Sequence, residues 1–227
     1  RFVFIRAAYL SRATLYMRFV LRMEHKKPIK ITNKNLEQFL GPKKYPAERL
    51  EQRNMIGITN GLAWTSVGGE VLKIESILMP GTGKVMLTGQ LGDVMKESAK
   101  TAFSYIRSHW ETLGLKKDFY KEIDIHVHVP EGAVPKDGPS AGLAIATAIV
   151  SSITGRAVRK NFSMTGEITL RGRALEIGGV KEKVIAAHRA GITDIILPKD
   201  NEKDLYEVPD VIKKVLRLHF ASHLDDV

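Results

Sequence analysis

The sequence predicts a mixed α/β domain. Three observations carry that prediction: runs with apolar residues at strand spacing, longer runs with apolar residues at helical spacing, and the interleaving of the two through the C-terminal half. With 227 residues, 44% of them hydrophobic, the chain is long enough for one well-buried domain, or a domain plus an appendage. It has no cysteine, which excludes a disulfide framework and cysteine-ligated zinc and is compatible with a reducing compartment. No uninterrupted apolar stretch approaches membrane-spanning length and the first residue is not methionine, so the chain reads as a soluble piece of something longer.

The first stretch is a basic arm. Residues 1–27 carry seven Lys or Arg against the single acid Glu24, a charge of +6, while the remaining 200 residues carry only +4. Phe2, Phe4, Tyr9, Tyr16 and Phe19 lie among these arginines, a composition that suits a helix packed on a partner or a surface-binding segment, nucleic acid included. Residues 30–53 are polar and punctuated by Gly41, Pro42 and Pro46, which predicts a linker with a short helix over 35–40. Residues 1–53 are therefore set apart as arm and linker, and the domain proper begins at 54.

Three strands are expected over 56–65, 70–78 and 84–91, separated by glycine-bearing turns. The turn Pro80-Gly81-Thr82-Gly83-Lys84 resembles a phosphate loop, but Leu78 stands where glycine is needed, Val85 where Ser or Thr is needed, and no helix follows. A hairpin turn is the expectation there. Residues 93–115 form the longest helical pattern, with Val94, Ala99, Ala102, Phe103, Ile106 and Trp110 recurring on one face. In the strand expected over 123–129, His126 and His128 share the face opposite Ile125, Val127 and Val129. Two histidines without a third nearby ligand favour packing or site shaping over metal binding.

The next stretch, Pro135-Lys136-Asp137-Gly138-Pro139-Ser140-Ala141-Gly142, joins that strand to an apolar helical run over 143–153. A serine at a helix start usually caps it. The same place suits a nucleophile, because the first amides lack intrahelical partners and point at any oxyanion formed beside Ser140. Such a serine needs a base. Gly138-Pro139-Ser140-Ala141-Gly142 matches the G-x-S-x-G elbow, with Asp210 and His219 or His223 as downstream partners, but two prolines and a polar loop separate it from the strand. The other source is the expected helix 178–191, bounded by glycines. Around Lys183 the residues three, four and seven positions away are Gly179, Val180, Ala186, Ala187 and Ala190, which can desolvate its amine. Lys181 meets Val184, Ile185 and His188, and periodicity separates the two lysines only slightly. Between these segments, 163–177 reads as two strands broken near 171–173, followed by a strand over 195–197, a helix over 201–208 and a last strand over 215–220.

Three segments together, 135–142, Met164-Thr165-Gly166-Glu167-Ile168-Thr169-Leu170-Arg171-Gly172 and 178–183, resemble the proteolytic domain of the Lon family, ATP-dependent proteases of the Ser-Lys dyad type. The resemblance runs from about residue 31 to the C-terminus, in the family's order and spacing. It implies a ribosomal protein S5 domain 2-like architecture, with Ser140 as nucleophile and Lys183, 43 residues on, as its base. It also implies that Thr165 stands beside the dyad lysine, and that Trp64 and Glu75 help shape the site. The arm would match the ATPase module's small helical subdomain, although the family's residues there are more acidic.

The resemblance implies no cofactor in this chain. ATP and Mg are expected only in an AAA+ module outside it, since neither Walker motif occurs here. Unfolded proteins or peptides are the expected substrates, a homo-hexamer the expected assembly and the bacterial cytoplasm the expected location, ahead of a mitochondrial matrix. Two rivals remain: a non-catalytic nucleic-acid-binding or assembly module like those of RadA-like repair proteins, and a Ser-His-Asp esterase.

Overall fold

The computed structural model describes residues 31–32, 34–41, 51–66 and 68–227. Contacts divide the chain into two compact units, Arg1–Pro46 and Ala47–Val227. In the first, the described residues form one short helix, α1 (Leu36–Leu40), where the sequence placed it. The basic arm and most of the linker lie outside the described residues.

The second unit is a sandwich built on a seven-stranded sheet in the order β3-β4-β2-β1-β5-β8-β9. Its strands are β1 (Ile58–Thr65), β2 (Gly68–Pro80), β3 (Val85–Thr88), β4 (Ile123–His128), β5 (Phe162–Met164), β8 (Asp194–Pro198) and β9 (Arg217–Ala221). β2 runs antiparallel to β1 and β4, and the other neighbouring pairs are parallel. A separate ribbon pairs β6 (Glu167–Ile168) with β7 (Ala174–Leu175).

Alternation along the strands divides the core in two. Leu72, Ile74, Ile125 and Val127 pack with α2 (Asp93–Ser108) and α3 (Gly142–Thr154). Leu62, Val71, Ile195 and Leu197 turn the other way, towards Val180, Val184 and Ala187 of α4 (Val180–Ala190). α3 is apolar nearly all round, as a helix wedged between the sheet and α2 must be. Its start is therefore held on several sides, which is where Ser140 lies.

The structure corrects several expectations. β2 and β3 are not a hairpin, because β4 lies between them, antiparallel to one and parallel to the other. The glycine-bearing turn 80–84 instead wraps an internal anion: Asp124 Oδ1 accepts from the amides of Thr82, Gly83 and Lys84 at 2.8, 3.0 and 2.8 Å. Converging amides made the segment look like a phosphate loop, and a carboxylate of the same chain occupies them. These bonds also hold the Asp124 carboxyl below its usual range.

α2 ends at Ser108, and the turn that follows, closed by Leu115 N–H donating to the Trp110 carbonyl at 2.8 Å, takes up the remainder of the expected helix. Residues 163–177 hold three short strands rather than two. The missed break is at Thr165-Gly166, whose backbone grips the start of α3: Gly166 N–H donates to Ser140 O at 2.8 Å and Leu143 N–H to Gly166 O at 3.1 Å. The helix expected over 201–208 is a 3₁₀ helix, Lys199–Glu207, and a short α5 (Asp210–Lys213) follows it.

Candidate active site

Ser140 lies in a 3₁₀ turn, Pro139–Ala141, that runs directly into α3. The turn is closed by Gly142 N–H donating to Pro139 O, which leaves the amides of Ser140 and Ala141 at first-turn positions with no intrahelical acceptor. Thr165 directly follows the end of β5, where that strand is parallel to β1 and β8, the end at which open α/β sheets place their sites.

Lys183 comes in from α4 on the other face. It is 1% exposed, whereas Lys181, two positions earlier, faces solvent. Lys183 Nζ donates to Thr165 Oγ1 at 3.1 Å, and Thr165 Oγ1 in turn donates to the backbone carbonyl of Ser140 at 3.1 Å. Ser140, Thr165 and Lys183 thus form one connected chain, joined through the Ser140 carbonyl. No direct hydrogen bond links Ser140 Oγ to Lys183 Nζ. No carboxylate pairs with Lys183 among the described residues, and burial lowers its pKa to about 8.

Two glycines let α4 deliver this lysine. A Cβ on Gly69 of β2 would stand 2.1 Å from the Glu182 carbonyl oxygen, so only glycine lets the helix backbone lie so close. Gly179, at φ +70°, begins the helix, and a Cβ there would stand 2.4 Å from Cγ of Trp64. Trp64, though 55% exposed, therefore packs against the start of α4. Glu75 is farther out on β2, paired in register with His128.

A family profile described as the Lon protease (S16) C-terminal proteolytic domain matches residues 30–227. The chain belongs to the Lon protease family. It is 57% identical over 204 residues to Lon protease 1 of Bacillus subtilis (strain 168), covering 90% of this chain and 26% of that protein. It is 57% identical over 193 residues to Lon protease 1 of Thermus thermophilus, covering 85% and 24%, and 56% identical over 201 residues to Lon protease of Finegoldia magna, covering 88% and 26%. The chain thus spans about a quarter of the length of these relatives.

In this Lon proteolytic domain the residues of the rival triad lie elsewhere. His219 Nε2 bonds Asp194 Oδ1 at 2.9 Å and its ring stacks on Phe162. Asp194, buried and held well below the carboxylate range chiefly by Arg217, accepts two further bonds from that guanidinium at 2.7 and 2.6 Å. Asp210 pairs with Lys213 at 2.9 Å, and His223 Nε2 donates to the Arg171 carbonyl at 2.7 Å. None of them is hydrogen-bonded to Ser140. Replacing His219 by alanine should therefore leave cleavage of an unfolded protein within about twofold, as for substitutions remote from a site; loss of turnover would restore the triad.

His126 and His128 both approach one hydroxyl, Thr88 Oγ1, at 2.8 and 2.7 Å. A hydroxyl has one hydrogen, so it donates to one imidazole at most, and the cluster acts as a fixed polar patch on the sheet. Among the described residues no group of three metal-ligating side chains occurs.

Asp137 was not singled out in the sequence. Its Oδ1 accepts from Met95 N–H at 2.9 Å, capping α2, whose own cap position is Gly92. The signal is weak in sequence because cap and helix are 42 residues apart.

Proposed function

We propose that this domain is a serine endopeptidase in which Ser140 is the nucleophile and Lys183, as neutral amine, is its base. The observation that supports this best is a lysine buried without a carboxylate and tied by one hydroxyl to the serine turn. Ser140 Oγ attacks a peptide carbonyl, its proton passes to the lone pair of Lys183, and the ammonium returns it to the leaving amine. Water then hydrolyses the acyl-enzyme by the same route. Thr165 suits this sequence, since its hydroxyl accepts from Lys183 whether the amine is neutral or charged and adds no charge of its own. The amides of Ser140 and Ala141 are the donors available to the oxyanion.

The chemistry needs no cofactor. Belonging to the Lon family supports the further reading that ATP and Mg act in an AAA+ module elsewhere in the full-length protein, that the assembly is a homo-hexamer, and that unfolded proteins are its substrates. The bacterial relatives support a cytoplasmic location, and among the described residues no helix is long and apolar enough to cross a membrane.

The test is cleavage of an unfolded protein, followed by mass spectrometry across pH. With a lysine pKa of about 8, only about a tenth of the molecules hold the neutral base at pH 7. The rate should therefore rise with pH to a midpoint near 8 and then level. Ser140→Ala and Lys183→Ala should each remove it. Unchanged turnover in Lys183→Ala would sink the dyad.

A further inference from the structure

The loop between β4 and Ser140 contains a second buried lysine. Lys136 is 8% exposed, and its main chain is fixed to the segment preceding α2: Lys136 N–H donates to Gln90 O at 3.1 Å, and Gly92 N–H donates to Lys136 O at 2.7 Å. Its side chain turns back into its own loop. Nζ donates to the carbonyls of Glu131 at 2.6 Å and Val134 at 2.9 Å, with Gly89 O at 3.5 Å as the outermost acceptor. Those acceptors match the three N–H groups of an ammonium.

The arrangement is costly. A buried cation is unfavourable unless its donors are all taken, and among the described residues no carboxylate forms an ion pair with the buried Lys136. Desolvation holds its pKa below the usual lysine range, while Glu70 and Glu131 act in the opposite sense. A methionine would fill the same volume without a charge but would take the donors away from the Glu131, Val134 and Gly89 carbonyls, so it isolates what the ammonium does.

What they hold in place is the approach to the nucleophile. The loop residues 131–135 are exposed and gain no core packing of their own. Lys136 gathers their carbonyls, Asp137 caps α2, and only Gly138 and Pro139 remain before Ser140. Beyond Ser140 the chain is gripped again by Gly166 and Thr165. The serine turn is thus suspended between two anchors, and the first of them is a hydrogen-bonded ammonium.

We propose that Lys136 is a positioning residue, whose ammonium orders the loop 131–138 so that Ser140 and its turn amides meet the substrate carbonyl. This rests on the Ser140–Lys183 reading above. It assigns Lys136 no contact with the reacting atoms, so the base and its protonation are untouched by its removal.

The experiment measures how fast a fluorophosphonate probe labels Ser140 in the whole 227-residue chain, with the folded fraction followed by circular dichroism at the same temperature. Lys136→Met should slow labelling on the order of 10- to 100-fold, the range expected of a displaced nucleophile. The pH midpoint near 8 should stay where it is, because Lys183 is unchanged. In Lys136→Ala, added ethylammonium should restore the rate and ethanol should not, since only the former brings N–H donors into the vacated space. Labelling of Lys136→Met at the unaltered rate would overturn the proposal, as would equal rescue by ethanol or a loss that merely follows unfolding. If the unaltered chain is not labelled at Ser140, the dyad reading itself falls, and this inference with it.

Discussion

Lys183→Met is expected to abolish cleavage while making the domain more stable. The side chains are similar in volume, so the buried space on α4 beside Val180 and Ala187, three and four positions away, stays filled and only the ionisable group is lost. The native pKa of about 8 lies below the usual lysine value of 10.5, so the unfolded chain binds the extra proton between those values. Stability therefore rises with pH across that window. The burial cost is fully present below pH 8 and is relieved as pH approaches 10.5. It amounts to about 3 kcal/mol for a shift of this size. Losing the bond to Thr165 returns about 1 kcal/mol of that. At pH 7 the variant should thus be about 2 kcal/mol more stable, with a Tm higher by roughly 5 °C, and its stability should no longer climb between pH 8 and 10.5. Thermal melts at pH 7 and 10 measure both effects. A variant that melts lower than the parent at pH 7 would contradict the assignment of Lys183 as a strained, functional lysine.

Gly69→Ala is expected to damage activity more than stability. The new Cβ would stand 2.1 Å from the Glu182 carbonyl oxygen and 3.0 Å from Ala186 Cβ, and neither atom can move without α4. Relieving the overlap pushes the helix off the sheet at the residue adjacent to Lys183. Overpacking of this kind costs about 2 kcal/mol. A displacement near 1 Å between base and nucleophile reduces turnover roughly 100-fold. The control is Ser104→Ala on the solvent face of α2, where the side chain is exposed and bonds only Lys100 O of its own helix. Denaturant unfolding and cleavage rates of the two variants make the comparison. Equal activity in both would mean that the close approach of β2 and α4 does not set the lysine's position.

Much of this architecture is legible in the order of the residues. Strand and helix periods located most elements of the second unit, because alternation and 3.6-residue spacing are local consequences of which face is buried. At two of the segments where the fold departs from local pattern, the cause is the same. The 80–84 turn has the local marks of a hairpin because its glycines cannot reveal that β4, some 40 residues on, inserts between the flanking strands and offers Asp124 to the turn. The break at Thr165-Gly166 is poorly marked locally: Thr165 suits a strand, a single glycine weakens one without fixing where it ends, and the backbone bonds that decide it go to Ser140, Leu143 and Ile196, distant in sequence.

Residue order alone names the side chains available for chemistry: a serine at a helix start, two lysines on one glycine-bounded helix and a threonine between the segments, in an order that matches the Lon family. Local periodicity left Lys181 and Lys183 nearly equal, and family resemblance chose between them. Only the tertiary structure supplied the physical grounds for that choice. Burial of Lys183 beneath β2, its pKa near 8 and its tie through Thr165 to the Ser140 carbonyl arise from segments distant in sequence, brought together by the sheet and by a glycine with no side chain to keep them apart. Desolvation depends on every neighbour in three dimensions, and a pKa that depends on desolvation cannot be read from one helix alone.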